Sequence, residues 1–297
     1  MKIYVLGCGG MLGDALYKHF TSKGHDVFAT DINLTSPWVN YRDVRDYQSM
    51  LSDAEAFCPD VIMNLAAMTD LEECEHQVQR AIDTNTGGSA NCVALSSKLN
   101  VPYVYISTAG IFDGQKEFYS DDDQPNPLCI YGKTKYWGEV IAQAYGKHLV
   151  LRCGWQMGSG PKDKKFIQKI WQQIKGGVTE FNVVGDRVGT PSYVVDCSRQ
   201  IDRLLEVGVR GTFNMVCRGE ASRYDMAVEL VKLLGFQDKV HIQKVNSSFW
   251  AKEYFAPRPV SEKLVTARLN SLDLNVMGTW QDALADYVKE YAEYFTL

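Results

Sequence analysis

The chain is poor in the features that mark several whole classes of protein. Its 297 residues include eight cysteines (Cys8, Cys58, Cys74, Cys92, Cys129, Cys153, Cys197 and Cys217), but none forms a C-x-x-C pair and none is grouped with histidine at zinc-ligand spacing. A chain this long does not need covalent staples, so reduced and mostly buried thiols in a cytoplasmic protein are expected, with no disulfide framework and no metal site. There is no basic segment followed by a long apolar run at Met1, and the apolar runs are of strand length. A secretory leader and a membrane span are therefore not expected. Positive charge is not in excess: the net charge is -5, which argues against nucleic acid or an anionic membrane as the main partner. Repeats and low-complexity linkers are absent. The five histidines all lie outside the motifs described below, and none is assigned to catalysis.

What is present is an alternation of strand and helix. Lys2–Leu6, Asp26–Thr30, Asp60–Asn64, Pro102–Ser107 and His148–Arg152 read as strands. Met11–Phe20, Tyr47–Phe57, Val78–Leu99 and Tyr131–Tyr145 read as the helices between them. Apolar strands alternating with helices imply an α/β fold, a Rossmann-type doubly wound parallel sheet. Beyond Gly154 the rhythm loosens: Pro161–Lys175 reads as a basic amphipathic helix, Val183–Pro191 as turn-rich, and Tyr224–Leu234 and Trp280–Phe295 as helices. The expected organisation is a dinucleotide-binding domain over 1–154, rejoined by segments near 190–217, with 155–297 forming mostly a smaller, interleaved substrate lobe. Gly211–Val216 is the strand expected to return to the sheet.

The glycine loop Gly7-Cys8-Gly9-Gly10-Met11-Leu12-Gly13 stands between the first strand and the first helix. In that context Gly7 permits a tight turn, Gly9 and Gly10 admit a pyrophosphate close to the backbone, and Gly13 lets helix pack on strand. Asp31 ends the second strand, where a carboxylate accepts hydrogen bonds from a ribose 2′-hydroxyl and repels a 2′-phosphate, so NAD is favoured over NADP. Tyr131 and Lys135 stand four residues apart on one helical face, and an ammonium nearby lowers a phenol's pKa. Ser107 and Thr108 fall at the carboxyl end of a strand, where open α/β sheets bind ligands, and Thr108 can support charge developing on a substrate carbonyl oxygen. Trp155 is open to stacking on a base or sugar or to a place in the core, and Arg258 to pairing with a pyrophosphate or to a solvated loop. Asp121-Asp122-Asp123 reads as a solvated loop, and Lys162 to Lys165 as an exposed helix face.

Taken together with Asn64-Leu-Ala-Ala-Met-Thr69, Phe112-Asp-Gly114, Tyr131-Gly-Lys-Thr-Lys135, Gly185-Asp-Arg-Val-Gly-Thr-Pro191 and Pro257-Arg-Pro259, these motifs resemble the extended short-chain dehydrogenase/reductase superfamily. Within it, the sequence is most similar to the dTDP-4-dehydrorhamnose reductase family, over nearly the whole chain. The resemblance implies an NAD(P)-dependent oxidoreductase that reduces a nucleoside-diphosphate 4-keto-6-deoxy sugar in polysaccharide biosynthesis. It makes Tyr131 the proton donor, Lys135 the ligand of the nicotinamide ribose, and Thr108 the holder of the substrate oxygen. It sets Asp43 and Val44 at the adenine, Leu65, Ala66, Ala67 and Thr69 along the cofactor, and Trp155 and Arg258 near the nucleotide-sugar. One departure stands out: the family usually continues Ser-Thr with Asp-Tyr facing the substrate, and this chain has Ala109-Gly110. The cofactor half thus resembles the family more closely than the substrate half. Epimerase and non-catalytic regulatory-subunit readings stay open, as does a homodimer.

Overall fold

The computed structural model describes residues 1–296. Six strands of the first half, β1 (Lys2–Leu6), β2 (Asp26–Asp31), β3 (Asn40–Tyr41), β4 (Val61–Asn64), β5 (Tyr103–Thr108) and β6 (His148–Cys153), form a parallel sheet. A seventh strand, Gly211–Met215, joins the far edge beside β6. The chain runs outward from β1 through β2 to β3, then returns to β4 on the other side of β1. That reversal makes a crevice between the carboxyl ends of β1 and β4, the place where such sheets bind ligands. Alternate residues face opposite sides. Ile3, Val5, Val104 and Ile106 pack with Leu16, Phe20 and Ile201 on one face, and Tyr4, Leu6, Tyr103 and Tyr105 with Met50, Cys92 and Leu95 on the other. Each fully buried aliphatic side chain contributes roughly 1.5–3 kcal/mol.

The helices are α1 (Met11–Ser22), α2 (Tyr47–Phe57), α3 (Leu71–His76), α4 (Val78–Ala81), α5 (Gly88–Leu99) and α6 (Ile130–Gln143) in the first half. The single helix expected over Val78–Leu99 is interrupted by a π-helical turn, Ile82–Gly87. Its Asp-Thr-Asn-Thr-Gly segment has little helical preference. The buried Asn85 side chain in it is anchored outside the helix, which fixes the wider turn.

Besides the returning strand β11 (Gly211–Met215), the later part of the chain contributes β7 (Trp155–Met157), β8 (Glu180–Val184), β9 (Val188–Gly189), β10 (Pro191–Tyr193), β12 (Ala221–Ser222), β13 (His241–Val245) and β14 (Ser261–Glu262), which build three small sheets. Of these, β7 pairs β10, β8 pairs β13, and β9 lies between β12 and β14, while β11 belongs to the large sheet. Around them stand α7 (Phe166–Lys175), α8 (Val194–Val207), α9 (Arg223–Leu233), α10 (Ala267–Ser271) and α11 (Trp280–Glu290). The α7 helix begins five residues later than expected, because the Asp163 carboxylate accepts the Lys165 amide and holds the chain extended. The acidic triplet is a solvated loop only at Asp122. Asp121 is buried and accepts the amides of Asn214 and Arg268, Asp122 pairs with Arg268, and Asp123 with Lys116. Seven of the eight free cysteines are buried, Cys58 being exposed. Among the described residues no helix is long and apolar enough to cross a membrane.

Candidate active site

The glycine loop forms one wall of the crevice. Gly7 has φ +81°, and a Cβ there would collide with the Ala66 backbone in the loop after β4. A Cβ on Gly13 would strike Cys8. These two glycines bring α1, β1 and the Leu65–Ala67 segment into contact. At Gly10 the situation is opposite: a Cβ would meet nothing within 4 Å, and no side chain caps the helix that follows. An open cradle beside an uncapped helix N-terminus fits a pyrophosphate. The Asp31 carboxylate reaches back to this loop, accepting the amides of Gly9 at 3.0 Å and Asn33 at 2.8 Å. Both oxygens are thus engaged by backbone, which weakens the ribose argument made for NAD. Asp43 pairs with Arg45 at the mouth of a 460 Å³ cleft further along, and Val44 is buried against Gly88.

The opposite wall is β5 and α6. The Cys129 thiol and the Glu75 carboxylate receive the first amides of α6, fixing its start at Ile130. Gly132 explains how close the helix comes: a Cβ there would overlap the Gly110 carbonyl. Tyr131 is thereby held over the turn that follows Thr108. A methyl group placed on Gly110 would lie 3.5 Å from Thr108 Oγ1 and 3.6 Å from Tyr131 Cε1. Burial raises the Tyr131 phenol above its ordinary pKa, against a hydrogen bond from Thr108. Lys135, expected to lower it, is not among the main influences on the phenol. Lys135 is only 4% exposed; its Nζ donates to the Ile106 carbonyl at 2.6 Å and sits 4.2 Å from the Tyr105 ring centroid. Burial brings its pKa down to about 7, while Cys153 and Glu139 pull the other way.

Asn85 ties the segment after β4 to α6. Its side chain accepts the Met68 amide at 2.8 Å and donates to the Met68 carbonyl and to Thr134 of α6. Thr69 follows in the same segment and accepts from Lys165 at 3.2 Å. No motif singled out Asn85; its role comes from the π-helical turn, which the sequence pattern concealed.

On the substrate side, Ser107 turns away from Thr108, as neighbours on a strand must. Its hydroxyl donates to Glu139 at 2.6 Å within a buried Arg152–Glu139 ion pair. The Trp155 indole N–H donates to Glu262 at 2.7 Å, and the Arg223 guanidinium lies 4.0 Å from its ring centroid. A stack on a base is therefore not left to that face. Arg258 makes a two-pronged ion pair with Glu72 of α3, at 2.7 and 2.9 Å. Lys162 is not on an exposed helix face: it reaches Asp14, Ser36 and the Trp38 ring beside the glycine loop. Glu262 and Arg223 were not expected at the site, because only the folding of the later strands brings them there. Among the described residues no acidic, cysteine or histidine cluster is arranged to hold a metal.

A glycine-lined crevice at the β1/β4 reversal, faced by a Thr–Tyr–Lys set, defines an oxidoreductase of the extended short-chain dehydrogenase/reductase type. The comparisons narrow the class. The family model for the RmlD substrate binding domain matches residues 1–293, and the chain belongs to that family. The dTDP-4-dehydrorhamnose reductase of Mycolicibacterium smegmatis is 28% identical over 291 residues, 97% of this chain and 85% of that protein. A crystal structure of a dTDP-4-dehydrorhamnose reductase from Clostridium acetobutylicum has a TM-score of 0.88 at 30% identity, covering 98% of this chain and 100% of that one. Another, from Bacillus anthracis in complex with NADP, has a TM-score of 0.88 at 25% identity, covering 98% and 99%.

Proposed function

We propose that the protein reduces the 4-keto group of a nucleoside-diphosphate 6-deoxy sugar, with a nicotinamide dinucleotide as reductant and Tyr131 as proton donor. The observation that carries this reading is the convergence of Thr108 and Tyr131 on the space beside Gly110. The bound nicotinamide supplies a hydride to the sugar carbon. The backbone of Gly10, Met11 and Leu12 holds the pyrophosphate, Asp43 and Val44 flank the adenine, and Leu65, Ala66, Ala67 and Thr69 line the cofactor. Lys135 binds the nicotinamide ribose. The hydroxyls of Thr108 and Tyr131 donate to the substrate carbonyl oxygen, and Tyr131 transfers its proton as that oxygen gains charge. The raised phenol pKa keeps this proton in place at neutral pH. Trp155 and Arg258 border the nucleotide-sugar. On this reading residues 1–154, with 190–217, bind the cofactor, and the remainder binds mostly substrate. The site takes NAD or NADP; the relative from Bacillus anthracis carries NADP, and the Asp31 carboxylate here is engaged by the amides of Gly9 and Asn33.

Tyr131→Phe keeps the ring and removes the proton. We expect NAD(P)H binding, followed by fluorescence, to be unchanged, and turnover of a dTDP-4-keto-6-deoxy sugar to fall by at least about 100-fold. Turnover at the parent rate would refute the assignment. One NAD(P)H consumed per product separates reduction from epimerisation, which consumes none.

A further inference from the structure

Ala109 and Gly110 present no polar side chain to the space above Thr108, yet that space does contain a carboxylate. The same methyl position on Gly110 that lies near Thr108 and Tyr131 is 3.7 Å from Glu262 Oε1. One carbon atom beside Gly110 is therefore in van der Waals reach of the oxygen holder, the acid and a carboxylate from a remote part of the chain. Glu262 is well fixed. Its strand β14 pairs with β9, its Oε2 accepts the Trp155 indole N–H at 2.7 Å, and the Trp155 ring lies against Gly189 and under Arg223. Among the described residues Oε1 receives no hydrogen bond.

We infer that Glu262 is a specificity-determining residue: its Oε1 accepts a hydrogen bond from the hydroxyl of the sugar carbon adjacent to the carbonyl, the 3-hydroxyl. This rests on the reductase reading above. The charge around Glu262 selects a hydroxyl over an ammonium. Arg223, Arg258 and Arg187 all act on the carboxylate, so a further cation would enter a field already made positive by three guanidinium groups. A neutral O–H needs an acceptor and no counter-charge, and a fixed acceptor is what Glu262 supplies. Burial, opposed by the Trp155 bond and these arginines, raises the carboxyl's pKa.

The test compares the parent protein with Glu262→Ala and Glu262→Gln on two substrates, a dTDP-4-keto-6-deoxy sugar and its 3-deoxy analogue. NAD(P)H affinity is measured by fluorescence, and affinity for the reduced dTDP-sugar by calorimetry without cofactor. The parent should prefer the hydroxylated sugar in kcat/KM by about 10- to 100-fold, and Glu262→Ala should abolish that preference. Glu262→Gln, which retains an acceptor oxygen, should recover part of it. The product affinity should fall in parallel, and NAD(P)H affinity should not change. If both variants keep the parent's preference, or if both substrates lose activity equally, Glu262 does not read the hydroxyl, while the reductase reading stands. If the parent reduces neither substrate, the reductase reading fails and this inference with it.

Discussion

Lys135 buries an ammonium with no carboxylate at ion-pair distance among the described residues; its close partners are a carbonyl and an aromatic ring. The consequence is a stability that depends on pH. In the unfolded chain the lysine titrates near its ordinary 10.5, and in the folded protein at about 7. Between these values the unfolded state binds more protons, so unfolding free energy gains a positive slope with pH. Below about pH 7 both states are protonated and the cost of the buried charge is at its full value. Lys135→Met, which keeps most of the side-chain volume, removes this term. Urea unfolding of both proteins from pH 6 to 10 should therefore show the advantage of the methionine variant greatest at pH 6 and shrinking as pH rises. A difference constant across that range would mean that Lys135 titrates normally. The same side chain shows what the residue types in the sequence disclosed: Thr108, Tyr131 and Lys135 were legible from spacing and from their position after a strand. The direction of the Tyr131 shift was not, because burial depends on every element packed over the ring.

At the level of the elements, α6 delivers Tyr131 to Thr108 only because Gly132 admits the Gly110 carbonyl. Gly132→Ala places a methyl group into that backbone contact, and a helix on a strand cannot yield locally without shifting the residues beside it. We expect a destabilisation of about 1–3 kcal/mol, read from chemical unfolding, and a drop in turnover of at least about 10-fold from the displaced phenol. Stability and turnover both at the parent level would show that α6 has room to move. The elements are also where the sequence was least informative. The sheet strands other than β3, short apolar runs between turn residues, stand where the sequence pattern put them. The Val78–Leu99 stretch looked continuous because hydrophobic spacing does not register an added residue per turn, and the π-helical turn there is what presents Asn85 to Met68. The start of α7 was misjudged for a similar reason: a side chain accepting the amide two residues on, as Asp163 does, is a local competitor that amphipathic spacing ignores.

For the molecule as a whole, the crevice is closed by contacts between early and late parts of the chain that no local pattern contains. The Arg258–Glu72 pair joins the Pro-rich loop before β14 to α3, and Lys162 joins the segment before α7 to α1 and Ser36. Burial opposes ionisation of Glu72, and Arg258 outweighs it, leaving the carboxyl below its ordinary pKa. The pair is only partly shielded, the side chains being 30% and 18% exposed, so its worth to global stability is small, on the order of 0–1 kcal/mol. Its geometry matters more than its energy, because Arg258 also acts on Glu262 and receives an Arg187 hydrogen bond on its carbonyl. Removing either partner frees the loop that carries the substrate-side wall without touching the reacting groups. Glu72→Gln, Arg258→Met and the double variant should therefore share one signature: KM for the nucleotide-sugar rises several-fold, kcat changes little, and the unfolding midpoint barely moves. Because both single substitutions break the same contact, their effects on KM should not add in the double variant. If the two effects are additive, or if kcat falls while KM holds, the ion pair does not act as a clasp on the substrate wall, and Arg258 contributes to binding independently of Glu72.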